Sequence, residues 1–277
     1  MSNVIVQSVK GLMNNAEIKK KFADMLGERV QGFFVSVSNC VSNNDLLQKA
    51  DANSVIMAAA VAASLDLPID PNLGFAYIVP YNNKVKGTNG QPDTWKTVAQ
   101  FQLGYRGLIQ LSQRSGQFKT INVSDVREGE IEMEDFLTGE ITFAWLPRAE
   151  RLKLPVIGYV AYFRLLNGFE KSFYMSKEEA DAHGKKYSQT SKKGYGLWKD
   201  DFDSMAKKTV VKMLLSKFAP LSIQMQRAVI ADQGVVKDVN NDAIDVDYVD
   251  NAPDSLNIAN IESEKQAERI AEHILKA

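Results

Sequence analysis

The chain has little of the chemistry from which most active sites are built. It holds a single cysteine, Cys40, in 277 residues, so no intrachain disulfide can form, and a reducing cytoplasm is the expected location. Cys40 lies between Val37 and Val41 and reads as a packing thiol. The two histidines, His183 and His273, are far apart, which excludes a Cys/His zinc cluster and leaves a nucleophilic triad only His183 in the folded part. His183 itself precedes Gly184 at an expected helix end, where a surface imidazole is favoured by the dipole. A G-x-x-x-x-G-K-[ST] phosphate cradle is absent, which argues against a P-loop ATPase, and Gly194-Tyr195-Gly196 does not follow a strand as a dinucleotide fingerprint would. No apolar run approaches the roughly 18 residues of a membrane span, and the N-terminus lacks the charged-then-apolar layout of a signal peptide. No cofactor or metal is expected.

What is present is segregated charge. The formal net charge is −1. Residues 238–277 carry ten acids against three bases, so the rest of the chain is basic. Residues 183–217 alone hold nine lysines against three aspartates. A basic block inside a folded region suits a polyanion partner.

The pattern of elements indicates an α+β fold. Residues 1–50 read as an N-terminal helical region with a possible role in oligomerisation. The Ala- and Met-rich stretch from Asn53 to Leu65 reads as a helix ended by Pro68 and Pro71. Phe75–Pro80 and Val98–Leu103 read as a hairpin whose long tip bears Lys84 and Lys86. A short helix over Tyr105–Ser115 is closed by Gly116, and strands follow at Phe118–Val126, Glu140–Trp145 and Val156–Leu166. Asn167-Gly168 suits a type I′ turn into Phe169–Met175, and Ser176 with Glu179 forms a capping-box pattern for a helix that stops at Gly184. Residues 185–197 read as a polar loop, and Trp198 to Phe218 as one long helix ended by Pro220. A second helix covers Ser222–Asp232. Residues 51–233 thus form the core, 234–257 an acidic flexible linker, and 258–277 a small helix suited to docking a partner.

Among these elements the binding chemistry is concentrated in two places. The loop KKYSQTSKKGYGLW interleaves Lys185, Lys186, Lys192 and Lys193 with Tyr187, Tyr195 and Trp198, the mixture of cations and aromatics that holds a single strand by its phosphates and bases. In the helix beyond it, Lys208 and Lys212 share a face with Asp201. Lys207 falls near Val211, Leu214 and Phe218 on a side that should be apolar, where a lysine wants an anion. Arg106 stands in a glycine-flanked GYRG turn that permits close backbone approach. A metal-dependent nuclease is the alternative. It would use Asp200, Asp201 and Asp203, helped by Glu128, Glu130, Glu132 and Glu134 along an exposed strand. The aspartates are equally those of a helix start. A non-catalytic oligomeric scaffold is the third reading.

Four segments in order carry a resemblance. Gln100 to Gly116, QFQLGYRGLIQLSQRSG, resembles the signature of the RecT family of phage recombinases. Arg127-Glu128-Gly129 resembles its next short motif, with Glu130 where the family has Asp. Trp198 to Val229, with MAKKT at 205–209, resembles its long C-terminal motif, and Gly74 to Tyr81 its G-x-A-Y-x-x-P-[YF] strand. The resemblance implies a protein that, without ATP and without catalytic residues, coats single-stranded DNA as a ring or helical filament and anneals it to a complementary strand. It also implies a phage exonuclease as partner and host single-strand-binding protein as another. The family fold is distantly similar to that of the annealing protein Rad52, a Rad52-like core of antiparallel β-sheet and hairpins backed by helices, with a basic DNA groove. Matched by position, the signature residues here are Gln100, Tyr105, Arg106, Arg114, Lys207 and Lys208.

Overall fold

A computed structural model describes residues 2–85, 94–192, 194, 196–232, 234–239 and 244–247. Three helices, α1 (Ser2–Asn14), α2 (Ala16–Leu26) and α3 (Val30–Ser42), lead to α4 (Ala52–Ser64). Asp51 caps α4 by accepting from the Ser54 N–H. Val55, Ile56 and every residue from Ala58 to Ala63 are buried. A helix apolar on all sides is stable only when surrounded. Here α1 and α2 cover it, together with the hairpin of β1 (Ala76–Val85) and β2 (Thr94–Leu103). The N-terminal helices are therefore not a separate unit: one hydrophobic core runs from Val9 to Val236.

Beyond β2 come α5 (Tyr105–Arg114), β3 (Phe118–Arg127), β4 (Ile131–Asp135), β5 (Glu140–Phe143), α6 (Arg148–Arg151), β6 (Val156–Leu165) and β7 (Glu170–Ser176). β3, β6 and β7 form an antiparallel sheet in the order β3-β6-β7. The β6–β7 turn falls at Asn167-Gly168 but is not the expected type I′ turn: Gly168 has φ +91° while Asn167 does not enter the positive-φ region, and Leu165 N–H donates to Phe169 O at 2.8 Å across a three-residue loop in which glycine alone takes the left-handed position. Then follow α7 (Lys177–Tyr187), α8 (Gln189–Lys192), α9 (Leu197–Asp200), α10 (Phe202–Phe218), α11 (Ile223–Ala231), β8 (Val235–Val239) and β9 (Ile244–Asp247). The capping box at the start of α7 is made: Glu179 N–H donates to Ser176 Oγ, and Ser176 N–H to the Glu179 carboxylate. α10 lies against β3, β6 and β7, putting Val210, Val211 and Leu214 in the core with Tyr159, Ala161 and Phe163. The fold is mixed, helices with antiparallel strands.

Four further expectations are corrected. α7 does not stop at Gly184 but continues to Tyr187, because that glycine makes room for a ring rather than a turn. A Cβ there would lie 2.7 Å from Trp198 Cδ2. The helix expected from Trp198 to Phe218 breaks at Asp201, whose backbone leaves helical geometry (φ −146°, ψ 67°) while its carboxylate accepts the Ser204 N–H at 3.3 Å. The linker expected from 234 begins instead with the β8–β9 hairpin, anchored by a Phe101–Gly234 bridge and buried Val236; its valines outweigh its acidity. Lastly, Glu130 is not on an exposed face. It is fully buried, taking Arg151 Nε at 2.7 Å and the Arg127 N–H at 2.8 Å. The expected helix at 258–277 and most of 240–257 lie outside the described residues.

Candidate nucleic-acid interface

The GYRG turn forms a corner that glycine alone can make. Gly104 N–H donates to Phe75 O at 2.9 Å. A Cβ on Gly104 would fall 2.1 Å from Gly74 O, and one on Gly107 would fall 2.2 Å from Phe75 O. The start of α5 is thereby pressed onto the start of β1, with Gly74 at φ +72°. Arg106 stands exposed at this corner, its chain packed over Gly74 beside the Tyr77 hydroxyl. Its Nη1 donates to Leu73 O at 3.2 Å, and its guanidinium is also hydrogen-bonded to the Tyr105 hydroxyl. Burial pushes the Tyr77 hydroxyl up; the Arg106 charge opposes this, and Asp201 and Tyr105 add to it. The starts of β1, α5 and α10 therefore share one corner. Tyr77, which sequence reasoning did not single out beyond its motif, belongs to it.

The lysines of α10 divide differently from expectation. Lys208, not Lys207, is the buried one. Its Nζ donates to Asp232 Oδ1 at 3.1 Å, and Lys212 Nζ donates to Asp232 Oδ2 at 2.7 Å. Asp232 also accepts the Leu103 N–H at 2.9 Å, so one carboxylate joins the end of β2 to α10. Burial pushes that carboxyl up, but Lys208 and Lys212 overcome it and hold its pKa at about 2. Lys208 and Lys212 are thus spent on an internal anion. Lys207 is half-buried and has no ionic or hydrogen-bonding partner among the described residues.

Other candidate residues are also engaged internally. Gln100 is only 2% exposed, facing the core from β2. Arg114 clamps the end of α4, donating to Leu65 O and Asp66 O at 2.8 Å each, an arginine stabilising helix carbonyls. Trp198 is half-buried between Gly184 and Phe202, with ring centroids 5.6 Å apart. Tyr187 packs on the His183 ring at 4.5 Å. His183 is no exposed cation at a helix end: burial, then Lys212 and Lys186, lower its pKa to about 4, so it is neutral at pH 7. On the surface remain Lys185, paired with Asp181 at 2.6 Å, Lys186 over the Tyr187 ring, Lys192 and Lys199. Tyr105 is half-buried beside Arg106. Lys84 lies in β1 opposite Trp95, while Lys86, Lys193 and Tyr195 lie outside the described residues.

Two of the three aspartates of the alternative reading have other employment. Asp201 caps α10, and Asp203 accepts the hydroxyl of buried Tyr159. Among the described residues no helix is long and apolar enough to cross a membrane.

The family model described as "RecT family" matches residues 31–247, from within α3 to the end of β9. The chain belongs to the RecT family. It is 42% identical over 257 residues to the uncharacterized protein YqaK of Bacillus subtilis (strain 168), covering 91% of this chain and 83% of that one. To Protein RecT of Escherichia coli (strain K12) it is 32% identical over 189 residues, 68% of this chain and 65% of that one. Its function is that of a RecT annealing recombinase: it binds single-stranded DNA and pairs complementary strands in phage recombination, without ATP. The match takes in β8 and β9, so the hairpin after residue 234 belongs to the RecT unit.

Proposed function

We propose that this RecT protein anneals by binding alone, holding the strand at the corner where β1, α5 and α10 begin. The observation that carries the reading is Arg106, exposed on a backbone corner that tolerates no side chain, with Lys207 unpartnered among the described residues on the adjoining α10. Arg106 and Lys207 neutralise phosphates, and Lys185, Lys186, Lys192 and Lys199 extend the cationic path. Contacts to the backbone leave the pairing edges of the bases free, as annealing to any complement demands. No group is required to make or break a bond. Copies assemble along the strand into a ring or filament, so that many weak contacts act as one. A phage exonuclease supplies the single strand, and host single-strand-binding protein is a further partner, within the cytoplasm.

The test is a variant carrying Arg106→Ala and Lys207→Ala together. Annealing of two complementary oligonucleotides is expected to slow at least tenfold with the melting temperature unchanged. The log–log dependence of single-strand affinity on salt is expected to flatten by about 0.7 for each phosphate that the variant no longer neutralises. Parental annealing and an unchanged salt slope in the double variant would remove the site from this corner.

A further inference from the structure

The corner of β1, α5 and α10 carries cations that the surrounding fold does not neutralise. Arg106 and Lys207 form no ion pair among the described residues, and neither do the exposed Lys192 and Lys199 on α8 and α9. Asp201 shares the corner, but its carboxylate is turned to the Ser204 N–H as the cap of α10. The acids that balance these cations lie later in the sequence. Residues 238–254 hold six aspartates and no base.

The path of the chain brings that run beside the corner. Asp232 accepts the N–H of Leu103, which precedes Gly104, and the Nζ–H of Lys208, which follows Lys207. β8 begins three residues later at Val235, and Val235 stands opposite Asp247, the last residue of β9. Three residues span at most about 11 Å, and register partners lie about 5 Å apart. The chain therefore leaves β9 within roughly 16 Å of Asp232. Asp254, seven residues further on, has up to about 25 Å of chain with which to return.

We propose that in the free protein the aspartates from Asp247 to Asp254 lie against Arg106 and Lys207 of the same chain, and that single-stranded DNA binds by displacing them. This contact rests on the corner being the DNA site. One exposed ion pair is weak, but so short a tether keeps the carboxylates at a local concentration on the order of millimolar. A few phosphates are thus held off, whereas a strand that engages several copies at once displaces the run from each. Displaced carboxylates take back counterions, so the salt dependence of DNA binding is shallower than it would be without them.

The test uses the full chain and an oligonucleotide short enough for one copy. Asp247→Asn, Asp250→Asn and Asp254→Asn together are expected to tighten its binding at least fivefold at low salt, and the gain is expected to vanish at high salt. In the Arg106→Ala, Lys207→Ala variant the same three substitutions are expected to gain nothing. Asp24→Asn, Glu28→Gln and Asp45→Asn remove three exposed acids from the N-terminal region. They change the net charge equally and are expected to leave the affinity within twofold. No gain from the three aspartates overturns the contact, and so does an equal gain from the N-terminal substitutions, which would be an effect of net charge. A gain that persists without Arg106 and Lys207 moves the aspartates to another surface and overturns it too. A gain that appears only as protein concentration rises assigns the carboxylates to a second copy and overturns the contact within one chain. If the Arg106→Ala, Lys207→Ala variant binds as the parent does, the DNA corner fails and this contact with it. If that variant is impaired and the aspartates are silent, the contact alone fails.

Discussion

Asp232→Ala is expected to destabilise the fold by about 3–5 kcal/mol, because it leaves the ammonium of Lys208 buried without its anion. The Lys208 side chain is 9% exposed and that of Asp232 1%, so water cannot take the partner's place. Lys212, at 29%, can turn outward and suffers less. The Leu103 N–H loses its acceptor at the same time. At roughly 2–4 °C per kcal/mol for a chain of this size, the melting temperature should fall by about 10 °C. Lys208→Met combined with Asp232→Asn should restore much of the loss, since it removes the buried charge and keeps an acceptor for Leu103. Acid gives an independent reading. The folded pKa of Asp232, about 2, lies below its ordinary 3.8. Its contribution is therefore complete above about pH 4 and lost as pH falls toward 2. Over that interval it amounts to about 2 kcal/mol, and Asp232→Asn should flatten that part of the stability profile. A melting temperature within 2 °C of the parent for Asp232→Ala would show that Lys208 reaches water.

That pair also shows where sequence reasoning reaches its limit. Features closed within a few residues were legible: the Asn-Gly turn before β7, the capping box of α7, the proline-bounded end of α4 and the glycine corner at Arg106. Their causes are local, in allowed φ values and in N–H groups that need acceptors. The sorting of lysines was not local. In α10, Ala206, Lys208, Thr209, Val210, Val211, Leu214 and Leu215 are all buried. A helix enclosed on most of its circumference offers no single apolar stripe from which to read its phase, and the anion that draws Lys208 inward stands 24 residues away. Arg114 was legible as a signature residue but not as a clamp on α4, whose carbonyls lie nearly fifty residues earlier. Of the candidate residues, Arg106 is exposed and Lys207 half-buried, while Arg114, Lys208 and Lys212 are bound to partners within the scaffold and Gln100 is buried.

Glu130→Ala carries the second large expected effect, a loss of about 3 kcal/mol. Glu130 is 0% exposed, and it satisfies Arg151 and the backbone of Arg127. Arg151 Nη2 also donates to Asp125 O, while Arg127 reaches the Asp125 carboxylate at 2.9 Å and Leu154 O at 2.6 Å. Removing the carboxylate leaves two half-buried guanidinium groups with one acid between them. Burial pushes the Glu130 carboxyl up, and its bonds to Arg151 and to the Arg127 N–H outweigh that and leave it below its ordinary value. The sign follows as for Asp232: its contribution is present above the ordinary carboxylate range and lost as pH falls through it. Glu130→Gln keeps the shape and one acceptor, so it should fall between the parent and Glu130→Ala and should lose this acid sensitivity. The same network roots the β4–β5 hairpin, since Ala144 N–H donates to Glu130 O at 3.0 Å. Hydrogen exchange should therefore show residues 131–143 opening in Glu130→Ala before the β3-β6-β7 sheet does. Uniform protection across both would mean that the hairpin is held by its own ladder and not by the ions at its base.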